Sequence, residues 1–312
     1  VAPQTECPPP RPGPRKPWRR SGSRVTASIA GKPHHAAMDP VINPRQDALI
    51  TAKFAYGSVS KDLEGEDVGL WLPKTPCGDW EEVTVARTDG EGRANFRVPA
   101  ARLPRPGVYP FQLIVQGDRS RAPGEIHVVR PGSQAAVFDI DGTLTTSDRQ
   151  LVRQIVLGAD PKPYKGAAAL TRAWASAGYL IVYITARPYF LRPGTLVWLG
   201  RHRFAPGPLL TTETVGAAMP GASDAGQFKT RTLRRLKDGP RLVIAAAYGN
   251  AVTDICAYAS VGIPASRTFI IGPNAGKSCG AHPPPRSISG YVDHLRQLGV
   301  IAPARPLAPL RR

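Results

Sequence analysis

A chain of 312 residues with 41 Lys+Arg against 23 Asp+Glu carries a formal charge of +18, which excludes an acidic solubilising protein and favours anionic partners. Its 42% hydrophobic content supports a packed core, and its length suits two domains. The 31 Gly and 34 Pro follow no collagen triplet, and no apolar run approaches the roughly 20 residues of a membrane helix, so a collagen-like or helical membrane-spanning protein is excluded.

Residues 1–45 hold eight basic and two acidic side chains, and Pro8, Pro9 and Pro10 lead into RPGPRKPWRR. A Pro/Arg stretch of this kind buries too little apolar surface to offset its ordering entropy, so it is expected to be a flexible tail. A metal site at His34 and His35 within it is disfavoured. The start at Val1, with no apolar leader core, fits either a removed targeting segment or a fragment and leaves the compartment open: soluble, peripheral to a membrane, or extracytoplasmic.

Residues 46–133 balance eleven basic against twelve acidic side chains. ALITAKFAYG, DVGLWL, EEVTVART, RANFRVP, VYPFQLIVQG and EIHVV, separated by Gly, Pro and Asp clusters, predict a small antiparallel β-sandwich. Phe54, Tyr56, Trp71, Trp80, Phe96, Tyr109 and Phe111 are expected in its core. From residue 134 to 300 the character changes. The apolar runs AAVFDI, LIVYIT, LVIAAAYG and TFIIG alternate with helical stretches GAAALTRAWASAG, FKTRTLRRLK and AVTDICAYASVG, which predicts a parallel α/β sheet. Within 134–297 there are nineteen Lys/Arg and nine acids, so an anionic ligand is expected for this domain. Residues 301–312 form a basic tail.

The chemistry sits at strand ends. FDIDGTLTTSD places Asp139 and Asp141 after the first apolar run, where α/β sheets bind ligands, and Gly142 permits a turn that brings both acids to one crevice. Magnesium wants such oxygen donors; the competing reading is a solvated, Asx-capped turn. The second strand ends in YITARP, giving Thr185 and Arg187. Lys229 opens a basic helix in QFKTRTLRRL and could neutralise a phosphate or simply face solvent. AAYGNAVTDICAYASVG turns at Gly249 and supplies Asn250 and Asp254, with an N-cap role for Asn250 as the alternative.

Acid pair, Thr, Lys and Asn/Asp in that order resemble the motif series of haloacid-dehalogenase-like phosphotransferases. FDIDGTLTTSD, GYLIVYITARP, QFKTRTLRRL and YGNAVTDICAYASVGIP narrow the resemblance to the lipin-type domain of lipin phosphatidate phosphatases and of membrane-associated phosphatidylinositol-transfer proteins. RVPAARLPRPGVYPFQLIVQGD is similar to the β domain that precedes it in the transfer proteins. The resemblance implies a haloacid-dehalogenase-like parallel sheet and a magnesium-dependent phosphatidate phosphatase. Asp139 would be nucleophile and metal ligand, Asp141 general acid/base and metal ligand through its carbonyl, and Asn250 and Asp254 further metal ligands. Thr143, Thr185, Arg187 and Lys229 would contact the phosphoryl group; for Arg187 an ion-pair role is the alternative. In the transfer-protein branch the acid pair is commonly degraded and the domain binds phosphatidate without hydrolysis, whereas both acids stand here. Three functions follow: a phosphatidate phosphatase first, a non-catalytic phosphatidate or anionic-membrane binding module second, a soluble-metabolite phosphatase third.

Only 46 residues separate Asp139 from Thr185 and 44 separate Thr185 from Lys229, which leaves no room for a large cap and favours a headgroup presented at a membrane. Arg201, Arg203, Arg231, Arg234, Arg235, Lys237 and Arg241 would attract anionic lipid. No nucleic-acid motif spacing is present, so that partner is not expected. His202 is expected at the surface. Cys7, Cys77, Cys256 and Cys279 form no C-x-x-C pair; their disulfide pairing stays open, and Cys256 is expected as a small buried apolar residue.

Overall fold

The computed structural model describes residues 8–57, 61–75, 78–146, 160–212 and 223–306. The chain divides after Val128 into two compact units.

The first unit contains α1 (Ser21–Ile29), β1 (Ala36–Ala37), β2 (Val41–Ile42), β3 (Ala48–Lys53), β4 (Ala55–Tyr56), β5 (Lys61–Asp62), β6 (Asp67–Pro73), β7 (Trp80–Arg87), β8 (Arg93–Val98), β9 (Gly107–Val115) and β10 (Arg121–Val128). Two sheets, β1-β3-β8 and β2-β10-β9-β6-β7, are antiparallel throughout except for the parallel β2/β10 pair. Period-2 patterning explains the packing: Ala48, Ile50 and Ala52 of β3 and Ala94, Phe96 and Val98 of β8 point inward while their neighbours face outward. Phe54, Tyr56, Phe96 and Phe111 are core residues as expected, whereas Trp71, Trp80 and Tyr109 are half-buried.

Residues 8–45, expected as a flexible tail, are instead packed on this unit. The Lys16 amide donates to Gln116 O at 3.0 Å, Arg121 Nη2 donates to Pro10 O at 2.9 Å, and the Arg19 and Arg20 amides donate to the Glu66 carboxylate. Trp18 packs against the core. A proline-rich chain has few donors but keeps every carbonyl, and arginines elsewhere in the fold satisfy those carbonyls. His35 lies buried, bonded to Ser120 and Ala55, which makes it a packing residue.

The second unit contains β11 (Gln134–Phe138), α2 (Ala167–Ser176), β12 (Leu180–Pro188), α3 (Arg192–Arg201), β13 (Leu209–Thr212), α4 (Ser223–Asp238), β14 (Val243–Gly249), α5 (Val252–Ser260), β15 (Thr268–Ile271), β16 (Arg286–Ile288) and α6 (Tyr291–Leu298). Its sheet runs β13-β12-β11-β14-β15-β16 with every pair parallel. Central β11 is fully apolar where it is buried on both faces, as parallel strands require. Phe138 stacks on Tyr248 at 4.6 Å between ring centres, and Trp174, Tyr183, Trp198 and Tyr291 complete the core.

The chain builds outward from β11 to β12 and β13, then returns to the other side with β14. That reversal opens a crevice at the carboxyl ends of β11 and β14. Residues 147–159 and 213–222, which belong to the two short intervals expected to exclude a large cap, lie outside the described residues. So do Cys7, Cys77 and 307–312. Residues 301–306, expected within the basic tail, pack on the unit: the Ala304 amide donates to Ala177 O and the Arg305 amide to Gln134 Oε1 at 2.7 Å.

Candidate functional site

The crevice gathers all eight residues expected there, in two neighbouring ion clusters. In the first, Lys229 Nζ donates to Asp139 Oδ1 at 2.7 Å and to Asp254 Oδ1, and all three side chains are buried. Thr143 Oγ1 lies 2.9 Å from Asp139 Oδ2 and 3.2 Å from Asn250 Oδ1. In the second, Arg187 grips Asp141 with a fork: Nε lies 2.9 Å from Oδ2 and Nη2 lies 2.9 Å from Oδ1. Thr185 Oγ1 donates to Asp141 Oδ2 at 3.1 Å, and Thr195 Oγ1 accepts from Arg187 Nη1 at 2.9 Å.

Local sequence explains the placement. Gly142 has φ 70°, which turns the chain off β11 so that Asp139 and Asp141 both enter the crevice. Gly249 acts differently from the turn expected of it: it ends β14 without a left-handed φ, and a Cβ there would stand 2.6 Å from Asp254 Cβ. Asn250 does not cap α5 with its side chain, which meets Thr143. Asp254, in the first turn, takes the amides of Asn250 and Ala251 on Oδ2 at 3.0 Å each, so it holds the helix start with one oxygen and Lys229 with the other. Lys229 sits in the second turn of α4, which starts earlier than expected, at Ser223.

Burial pushes the Asp139 carboxyl up to about 7; Lys229 opposes that rise, while Asp254 and Asp141 add to it. Burial alone would lower the Lys229 ammonium, but the Asp139 and Asp254 carboxylates outweigh it and hold the group above the ordinary lysine value. Three carboxylates face two cations in this crevice, so one negative is uncompensated once Asp139, raised to about 7, is ionised.

A hard divalent cation takes oxygen donors, and Asp139, Asn250 and Asp254 present side-chain oxygens in one buried cluster. The donor type and the surplus negative charge fit such an ion. Among the described residues no three His, Cys, Asp or Glu form a cation-holding group, so Asn250 and main-chain carbonyls would have to complete the set.

Sequence reading missed three supports. Thr195 on α3 receives Arg187, Tyr291 Oη donates to Thr143 O at 2.8 Å, and Asn274 Nδ2 donates to Asn250 O at 2.9 Å. Only Thr195 carried a signal, as a polar residue on the buried face of RPGTLVWLGR. Cys256, expected as a buried apolar residue, is half-buried and joined to Cys279 in a disulfide with a Cα separation of 5.1 Å. His202 is at the surface side as expected, 3.3 Å from Asp160 Oδ2.

Residues 33–128 match the family model of the PITM 1-3 beta-sandwich domain, and residues 136–272 match that of the PITM 1-3 LNS2 domain. The chain is 33% identical over 287 residues to human membrane-associated phosphatidylinositol transfer protein 1, covering 91% of this chain and 22% of that protein. It is 31% identical over 295 residues to protein retinal degeneration B of Drosophila melanogaster, covering 94% of this chain and 22% of that one. The chain therefore spans less than a quarter of the length of these relatives. Its two domains are a β-sandwich domain and an LNS2 domain of the kind found in the membrane-associated phosphatidylinositol transfer proteins.

Proposed function

We propose that the LNS2 domain recognises the phosphate monoester headgroup of an anionic lipid, most simply phosphatidate, together with a divalent cation and without hydrolysing it. The carrying observation is the Arg187 fork on Asp141. Both oxygens of that carboxylate are engaged by Arg187 and one also by Thr185, which is the arrangement of a fixed acceptor rather than of a proton donor. The charge count supports the cation: with Asp139 ionised the crevice carries one surplus negative charge and repels a phosphate until a cation is added. Asp139, Asn250 and Asp254 would hold magnesium, whose chemistry is to neutralise the phosphate oxygens. Thr143, Thr185 and Lys229 would then line the headgroup, and Arg187, expected there too, is fully buried and would act by holding Asp141. The exposed Arg203, Arg231, Arg234, Arg235 and Arg241 add attraction to an anionic bilayer of about 1 kcal/mol each. No helix among the described residues is long and apolar enough to cross a membrane. The similarity to proteins named as membrane-associated phosphatidylinositol transfer proteins supports a lipid partner.

A second reading, a haloacid-dehalogenase-like phosphatase, is favoured by one observation: Asp139 and Asp141 are both present at the end of β11, with Lys229 and Thr143 on Asp139. In that reading Asp139 attacks the phosphorus, and Asp141 must first leave Arg187 to protonate the leaving alcohol. One experiment separates the two. Vesicles of phosphatidylcholine with and without phosphatidate are sedimented with the full chain, with magnesium or a chelator, and free phosphate is measured in the same samples. Magnesium-dependent sedimentation on phosphatidate without phosphate release is the expected result. Phosphate release that disappears in Asp139→Asn would select the phosphatase.

A further inference from the structure

Residues 272–285 connect β15 to β16. All of them are exposed except Asn274, Ala275 and Cys279, which are half-buried, and Pro285, which is buried. Two of the covered residues tie the connection to the crevice. Asn274 Nδ2 donates to Asn250 O at 2.9 Å, and Cys279 is bridged to Cys256 on α5, two residues beyond Asp254.

The first tie bears on a proposed cation ligand. The amides of Asn250 and Ala251 both donate to Asp254 Oδ2 at 3.0 Å, and the Asn250 carbonyl accepts from Asn274. The peptide that joins Asn250 to Ala251 is therefore held at both ends, by α5 on one side and by the connection on the other. Backbone held in this way sets where Asn250 Oδ1 points, 3.2 Å from Thr143 Oγ1. Asn274 is itself oriented: Lys277 Nζ donates to its Oδ1 at 2.8 Å, which leaves Nδ2 to face Asn250.

The second tie controls the first. With the bridge closed, the span that carries Asn274 runs from the end of β15 to Cys279, residues 272–278; with it open, the span runs on to buried Pro285, residues 272–284. The entropy of closing a flexible span grows with the logarithm of its length, so about doubling the span weakens the Asn274 contact with Asn250 roughly threefold. Ser278 and Gly280 on either side of Cys279 are exposed, which leaves the bridge open to a dissolved thiol. A dithiol reductant gives it two electrons and two protons: the reductant ends as a disulfide and the bridge as two thiols.

We propose that Asn274 is a positioning residue for Asn250, and that the Cys256–Cys279 bridge makes the cation affinity of the crevice depend on redox state, tighter with the bridge closed. The inference rests on the cation and headgroup reading above and adds a means of regulating it.

Manganese(II), which takes the same oxygen donors as magnesium, is counted by electron paramagnetic resonance on the full chain, with glycerol 3-phosphate as the headgroup probe. Reduction with dithiothreitol, followed by its removal under argon, is expected to lower the manganese affinity roughly threefold. Asn274→Ala is expected to lower it about tenfold, the ordinary cost of losing a group that orients a metal ligand. In that variant reduction should still lower the urea midpoint but leave the manganese affinity unchanged, which a bridge acting through stability alone does not do. Cys256→Ser/Cys279→Ser should bind like the reduced wild type and ignore dithiothreitol, which separates this bridge from Cys7 and Cys77. Where reduction unfolds the LNS2 unit, Asn274→Ala decides alone. An Asn274→Ala chain that binds manganese as tightly as the wild type overturns the positioning role and the redox dependence with it. Equal affinities of the oxidised and reduced wild type, or a reduction effect that survives in Asn274→Ala, overturn the redox dependence. Absence of manganese binding in every form overturns the cation reading together with this inference.

Discussion

Arg187 has no exposed surface, and its charge is answered by Asp141, which keeps 15% of its side chain open to the crevice. The two are unequal partners: Asp141 could be hydrated if released, whereas Arg187 could not. Removing one member of a buried pair costs about 3–5 kcal/mol because the other charge is left in a low dielectric. Asp141→Asn is therefore expected to lower the stability of the LNS2 unit by about that amount, measured by urea denaturation followed by tryptophan fluorescence. A loss under 1 kcal/mol would mean that Arg187 finds solvent or another acceptor. The acids, Thr185 and Asn250 were legible in the sequence because their motifs follow apolar strands of a parallel sheet, where side chains converge, whereas Lys229 was read from a basic helix. The fork was not legible, because YITARP shows where Arg187 begins and not which of the nearby carboxylates its long side chain reaches.

The disulfide acts on elements rather than on single groups. Cys256 lies on α5, two residues after Asp254, and Cys279 lies in the connection between β15 and β16, the segment that also carries Asn274. Besides the bridge, the Asn274 bond to Asn250 O ties that connection to the crevice, while the amide bonds of Ala275, Lys277 and His282 stay within the connection itself. For a sequence separation of 23 residues, chain-entropy reasoning gives about 3 kcal/mol of stabilisation. Cys279→Ser is expected to lower the LNS2 unit's stability by that order, and a reducing agent should reproduce the effect in the wild type and do nothing further to the variant. Spacing alone could not show this bridge, since four scattered cysteines allow three pairings. By contrast, the strands of the sandwich could be read directly, because alternation in ALITAK and RANFRV reports one buried face. The packed order of residues 8–45 escaped for a different reason: composition counts side chains, and what holds Pro10 and Lys16 is their backbone.

Across the whole molecule the formal charge of +18 makes acid the harshest condition, since each carboxylate that takes a proton removes one of the few negatives offsetting 41 cations. Each unit also holds a buried histidine that must stay neutral. In the sandwich, burial outweighs the attraction of Asp118 and lowers the His35 pKa from 6.5 to about 4. Its Nδ1 accepts the Ala55 amide at 3.3 Å, a bond that a protonated ring cannot make. His294 in the LNS2 unit is lowered to about 4 as well. The sign follows from proton counts. Between pH 6.5 and 4 the unfolded chain binds a proton on His35 that the folded chain refuses, so its contribution is fully present above about 6.5 and is lost as pH falls toward 4. For His35 alone the loss reaches about 3 kcal/mol. The sandwich's denaturation midpoint is therefore expected to fall steadily from pH 7 to pH 4.5, and His35→Gln should flatten that slope while lowering stability at pH 7; in the LNS2 unit the Asp139 carboxyl, raised to about 7, takes up a proton on folding over the same range and opposes the loss from His294. A slope unchanged by the substitution would place the acid sensitivity in charge repulsion, and added salt, which screens repulsion and leaves a buried ring untouched, would then restore the midpoints.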